Sequence, residues 1–118
     1  MARSTVVFVN IDWKASRHKT DRADKKNMSV LENTVRSIVE TYEPVVICFC
    51  EVGEEANPLT LGQMVAVSEL IEGTWHDLLQ STQLQRSFTE GYTYLTVWDA
   101  SKIQWAATER SHSSRTTL

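Results

Sequence analysis

Two short apolar runs in the first half of the chain predict buried β-strands. Residues 5–9 read Thr-Val-Val-Phe-Val and are followed by the polar Asn10, and Val45–Cys50 is a second apolar run that Glu51 closes. Short runs of β-branched and aromatic residues bounded by polar residues are typical of buried strands. We therefore predict one strand that ends at Asn10 and a second that ends before Glu51.

The segment between these runs follows the spacing of an amphipathic helix. Apolar residues recur every three or four positions over residues 28–42, and Pro44 ends the pattern. Ser29 and Glu32 have the spacing of a capping box, so the helix is expected to begin near Ser29. A strand, a helix and a strand in this order predict a β-α-β unit, in which the two strands are parallel neighbours.

A second helix is predicted to begin after Thr60. Thr60 and Gln63 form a capping-box pair, and Leu59 and Met64 occupy the positions of a hydrophobic staple. The helix is expected to end near Ser81, with its apolar stripe covered by the sheet and its other side in solvent. The predicted stripe consists of Leu61, Met64, Val65, Ile71, Trp75, Leu78 and Leu79, and the predicted solvent side of Glu69, Glu72, His76 and Gln80.

The last apolar segments predict a β-hairpin. Phe88 is expected to begin a further strand, and residues 94–98 and 103–107 are predicted to pair around a turn at residues 99–102. From residue 108 onward, six of eleven residues are Ser or Thr, which is too polar for a packed core. We expect one domain over residues 1–107 and a flexible tail over residues 108–118.

Composition supports a single α/β domain. The chain has 118 residues, of which 42% are hydrophobic, and such a length is typical of one domain with one core. Four Gly and two Pro are few for a turn-dense all-β fold. The longest apolar run, Val45–Cys50, is far shorter than the roughly 18 residues that indicate a transmembrane helix. We expect no membrane contact and an intracellular protein, either cytoplasmic or nuclear.

Charge is distributed unevenly along the chain. The formal net charge is −3, yet six of the twelve basic residues lie within residues 14–26, against two aspartates. A basic loop on an acidic body could contact phosphate through Lys14, Arg17 and Lys19, although most basic surface loops are only solvated. Cys48 and Cys50 lack the further ligands of a zinc site and are expected to be reduced packing residues.

Candidate chemistry lies where the two predicted strands end. Ligands of open α/β sheets bind at the carboxyl ends of the strands, and Asn10 and Glu51 occupy these ends. An amide oxygen beside a carboxylate suits Mg²⁺, which takes one or two carboxylates and otherwise waters and substrate phosphate. The alternative is a turn-capping Asn and a solvated Glu with no metal between them.

Three segments together resemble the opening of the endonuclease/exonuclease/phosphatase family, which includes deoxyribonuclease-like nucleases, abasic endonucleases and inositol-phosphate phosphatases. The segments are Val9-Asn10, Tyr42-Glu43-Pro44, and the strand from Val46 to Cys50 with its extension Glu51-Val52-Gly53. The family's first strand ends in Asn and its second in Gln-Glu-Val. The resemblance implies that Asn10 acts in catalysis by orienting the metal-bound phosphate and that Glu51 binds Mg²⁺ or Mn²⁺. It extends over residues 5–107.

The chain also departs from the family pattern. It has Cys50 where the family has Gln and Val45 where the family has Asp, and the later Asp-x-Asn and Ser-Asp-His motifs have no counterpart. The family's two-sheet α/β sandwich requires a longer chain, so this sequence resembles its N-terminal half. The resemblance implies a magnesium-dependent phosphoesterase acting on nucleic acid or a phosphorylated small molecule, truncated and inactive alone. The alternative is a non-catalytic interaction module. In either case, self-association through an unpaired sheet face is expected.

Overall fold

The computed structural model of the chain describes residues 5–10, 25–52, 59–88 and 94–104. These residues form a mixed α/β fold, as the sequence predicts. The elements in chain order are β1 (Val6–Asn10), α1 (Lys25–Tyr42), β2 (Val46–Cys50), α2 (Leu61–Leu79), β3 (Leu84–Phe88) and β4 (Leu95–Asp99).

The four strands form one sheet in the order β1-β2-β4-β3. β1 and β2 are parallel neighbours, which confirms the predicted β-α-β unit, and Asn10 lies in register with Cys50. β4 is antiparallel to both β2 and β3. The sheet is therefore parallel on one side and antiparallel on the other.

α1 begins four residues earlier than the capping signal indicates. The helix starts at Lys25, so Ser29 lies inside it and is not its N-cap. Apolar periodicity detects only the stripe that faces the core, whereas lysine is itself a good helix former and can extend the helix beyond that stripe. The C-terminal boundary is as predicted, because the helix ends at Tyr42 and Pro44 follows.

α2 confirms the predicted capping box. The Gln63 backbone N–H donates to Thr60 Oγ1 at 3.1 Å, and the Thr60 N–H donates to Gln63 Oε1 at 2.8 Å. Trp75 is fully buried, as expected, but Leu61 is 52% exposed. Helical side chains lean toward the N-terminus, so a leucine at the first helical position extends past the end of the helix instead of onto the sheet.

Both helices cover the same face of the sheet and enclose the main core. α1 and α2 pack against each other, and side chains from both meet alternate residues of β2 and β4. The buried apolar residues are Leu31, Val35, Val39, Ile47, Phe49, Val52, Leu59, Met64, Val67, Ile71, Trp75, Leu95 and Val97.

We call the opposite side of the sheet the second face. It has a smaller apolar cluster, to which no helical residue of the described chain contributes. Val45, Val46 and Trp98 are buried there, with Ile103 packed against them. Further along β1, Phe8 is 64% exposed. Among the described residues, the second face is thus covered at one end of the strands and open at the other.

The predicted hairpin is wrong in its strand pairing. Phe88 is the last residue of β3 and not the first residue of a strand, and β4 forms its hairpin with β3. β2 occupies the other edge of β4, so no edge remains for residues 103–107. Ile103 and Gln104 are not in a strand, and residues 105–107, like the predicted tail 108–118, lie outside the described residues.

In the part of the chain that the structure describes, no helix combines the length and apolar character that crossing a bilayer requires.

Candidate functional site

Asn10 and Glu51 meet at one edge of the sheet. Asn10 is the last residue of β1, and Glu51 directly follows β2. The Asn10 amide Nδ2 donates a hydrogen bond to Glu51 Oε2 at 3.1 Å, and both side chains are exposed. The parallel register explains the contact, because it aligns the carboxyl ends of the two strands.

The backbone at Glu51 is unusual and directs this carboxylate. Glu51 has a φ of 56°, in the left-handed region that costs a non-glycine residue about 1 kcal/mol or more. The next residue, Val52, is completely buried in the main core. The chain therefore leaves β2 through a sharp turn that holds Val52 inside and leaves the Glu51 carboxylate in solvent beside Asn10.

The donor set at this edge suits a hard cation with few protein ligands. Glu51 offers carboxylate oxygens and Asn10 an amide oxygen, which are the ligand types that Mg²⁺ accepts together with several waters. Among the described residues, no group of three or more His, Cys, Asp or Glu is arranged to hold a metal. One carboxylate and one amide fit a hydrated Mg²⁺ ion but form an incomplete cage, so binding without phosphate is expected to be weak.

The three basic residues that the sequence assigns to phosphate binding are not described. Lys14, Arg17 and Lys19 lie in residues 11–24, outside the described ranges. Their position relative to Asn10 and Glu51 therefore remains a prediction.

Two thiols lie next to this edge on β2. Cys48 and Cys50 are both free and half-buried on the second face. Burial raises the pKa of both thiols, and the carboxylate of Glu51 raises the pKa of Cys50 further. The raised pKa values disfavour the thiolate form, which is consistent with a packing role for both cysteines.

Sequence reasoning missed the carboxylate that is most deeply buried among the described residues. Asp99, assigned only to a turn, is 1% exposed and accepts hydrogen bonds from the Ser101 N–H at 2.9 Å and from the Ser101 hydroxyl. Burial raises its pKa, but the hydrogen bonds from Ser101 and Ser81 and the charge of Lys102 lower it more, so the pKa lies below its ordinary value. The Asp-x-Ser spacing at residues 99–101 was the available signal.

Asp99 is not part of the candidate site. β4 runs antiparallel to β2, and Trp98 pairs with Val46 at the start of β2. Asp99 therefore lies at the opposite end of the sheet from Glu51, where it stabilises the turn after β4.

An ion pair also connects α2 to β3 on the helix-covered side. Arg86 Nε lies 3.3 Å from Glu72 Oε2. Glu72 was predicted on the solvent side of α2, but it is partly buried, and this burial raises its pKa against the opposing effect of Arg86. The prediction failed because helical periodicity does not reveal a charged partner on a strand distant in sequence.

Comparison of the chain with protein-family models, with curated proteins and with solved structures finds no match.

Proposed function

We propose that this chain is the cation-binding part of a metal-dependent phosphoesterase, with Glu51 as the protein ligand of Mg²⁺ or Mn²⁺. The single observation that supports the proposal is the hydrogen bond from Asn10 Nδ2 to Glu51 Oε2 at the carboxyl edge of two parallel strands. Two residues that lie 41 positions apart in the sequence are brought into contact where α/β folds bind their ligands.

In the proposed reaction the two side chains have different tasks. Glu51 provides the negative charge that attracts the cation, and Asn10 fixes the orientation of the carboxylate by donating to Oε2. Glu51 and Asn10 would hold the cation, which would supply positive charge to the phosphate oxygens during in-line attack of water on phosphorus. Lys14, Arg17 and Lys19 are the proposed contacts to the remaining phosphate charge.

A cation-binding measurement tests the proposal. Mn²⁺ broadens NMR signals close to its site, so titration should broaden the amide signals of Asn10 and Glu51 first. Glu51→Gln should remove this selective broadening, because it removes the carboxylate charge and keeps the size of the side chain. Addition of inorganic phosphate should tighten binding to the wild-type chain, because it completes the incomplete cage.

Glu43 provides a matched control. It is also an exposed glutamate with a positive φ, of 43°, but it precedes β2 at the other end of the sheet. Glu43→Gln should leave the broadening at Asn10 unchanged. Equal broadening in the wild type and in Glu51→Gln would reject the cation site.

A second candidate function is that of a non-catalytic interaction module. The observation that favours it is the exposed Phe8 on the open part of the second face, where a partner could cover apolar surface. In that case Mn²⁺ would show no preference for Asn10 and Glu51.

A further inference from the structure

The two edges of the sheet differ in their protection against pairing with another strand. Among the described residues, β1 is paired only with β2, and β3 only with β4. Proteins protect edge strands with charges, prolines or bulges, because the unpaired backbone groups of an edge attract other strands. β3 has such a charge in Arg86 at its centre, held by Glu72. β1 reads Val-Val-Phe-Val-Asn and has no charged residue and no proline.

Phe8 strengthens the contrast. It is the central residue of β1 and is 64% exposed, so its ring contributes little to packing within the chain. Its neighbours across the sheet on the second face are Cys48 and then Thr96, which are also uncharged. An exposed aromatic ring on an unprotected edge is suited to a cross-strand partner.

We propose that β1 pairs with β1 of a second copy of this chain, antiparallel and about a two-fold axis at Phe8. In this register Phe8 faces Phe8 of the second copy, and Val7 faces Val9 of the second copy. In this arrangement the five residues of β1 make one aromatic pair, two valine pairs and two pairs of Val6 with Asn10, and no like charges face each other. The product is one continuous sheet of eight strands.

The small size of the contact sets the strength of the dimer. A five-residue edge with one exposed ring buries less than the roughly 1,200 Å² of a standard stable interface. The dimer is therefore weak and depends on protein concentration. Asn10 faces Val6 of the second copy in this register, whereas Glu51 follows β2 and is outside the pairing strands, so Glu51→Gln should leave the dimer intact.

Sedimentation of the 118-residue chain over a range of concentrations tests the proposal. The wild type should change from monomer to dimer, and Phe8→Lys should weaken dimerisation at least tenfold, because it places two like charges opposite each other at the axis. Gln85→Lys is the matched control, since Gln85 is an exposed residue of the β3 edge. It should dimerise like the wild type.

Two further measurements separate edge pairing from stacking of the second faces. Thr96→Lys places a charge at the centre of the second face and should leave edge pairing intact, whereas it would abolish face stacking. In the wild type, hydrogen exchange of the β1 amides should slow at high concentration while that of the β3 amides does not change. Three results would overturn the proposal. They are a wild-type chain that stays monomeric, a dimer that persists in Phe8→Lys, and a dimer that is lost in Thr96→Lys. β1 amide exchange that is independent of concentration would also overturn it, a readout that does not require any variant to fold.

Discussion

At the scale of single residues, three acidic side chains show how the tertiary environment gives chemically similar groups different exposure and different partners. Glu51 is exposed beside an amide, Glu72 is partly buried against a guanidinium, and Asp99 is buried among hydroxyl and amide donors. The pKa of Asp99 is lowered, because its hydrogen bonds and the charge of Lys102 outweigh the cost of burial. Glu72 has a raised pKa, because the single partner Arg86 does not offset that cost. Acidic residue type alone therefore predicts none of these roles.

Asp99 should make stability depend on pH in the acid range. Because its folded-state pKa is lowered, its stabilising contribution is complete above the unfolded-state pKa and is lost as pH falls through the folded-state pKa. At pH 7, Asp99→Asn should lower the free energy of unfolding by about 1–3 kcal/mol, since the buried Ser81 and the turn residue Ser101 lose a charged acceptor.

Denaturant titration of the wild type and Asp99→Asn between pH 7 and pH 2 measures this effect. The difference between the two proteins should shrink as the pH falls below about 4, the ordinary range of an aspartate. A difference that stays constant over this range would show that Asp99 stabilises the turn without its charge.

At the scale of elements, the start of α2 shows how strongly a local signal can fix a boundary. The Thr60 hydroxyl and the Gln63 side chain satisfy each other's backbone N–H groups, so two otherwise unpaired donors at the helix start are paired. α1 has a weaker signal, because Ser29 and Glu32 have the same spacing but lie inside the helix. A capping box marks a helix start only when the residues before it cannot continue the helix.

Removal of the cap should weaken α2 by a measurable amount. Thr60→Ala is expected to lower the free energy of unfolding by about 1 kcal/mol, because the Gln63 N–H loses its acceptor. Thr82→Ala, at an exposed position after α2, is the control and should change stability by less than about 0.5 kcal/mol. Equal effects in chemical denaturation would contradict a capping role for Thr60.

At the scale of the whole molecule, the two faces of the sheet are unequal. The face under α1 and α2 contains the continuous core, whereas the second face has a smaller cluster around Val46 and Trp98 and leaves Phe8 in solvent. Such a sheet with helices on one face is compatible with half of a two-sheet sandwich, as the family resemblance implies. It is equally compatible with an interaction module that uses Phe8. Measurements of cation binding at Glu51 and of phosphodiester hydrolysis together distinguish the two functions.

The 118-residue chain should not hydrolyse phosphodiesters faster than its Glu51→Gln variant. One carboxylate and one amide supply part of the transition-state stabilisation, and the sequence contains no counterpart of the family's Asp-x-Asn and Ser-Asp-His motifs. The rate of nitrophenol release from bis-nitrophenyl phosphate, with Mg²⁺ or Mn²⁺ present, measures the hydrolysis by the wild type and by Glu51→Gln. Turnover in the wild type that disappears in Glu51→Gln would show that the chain alone holds a working site.

The local features of this protein follow from its amino-acid sequence. Three predicted features appear in the structure: the two strands that precede Asn10 and Glu51, the second helix, and its capping box at Thr60. Strand runs, helical periodicity and caps depend only on neighbours within a few residues, so they can be predicted from sequence. The β-α-β order was sufficient to predict that Asn10 and Glu51 share an edge, although their role in cation binding stays a prediction.

Which distant segments meet follows from the tertiary structure and not from local sequence patterns. The tertiary structure placed β4 between β2 and β3, buried Asp99 against Ser81, and paired Glu72 with Arg86. Strand order and the burial of a polar side chain depend on packing between segments that are distant in sequence. Hydrophobic periodicity and motif spacing are local patterns and do not predict such packing. For the same reason, the exposure of Phe8 on an unprotected edge became visible only when the neighbours of β1 were known.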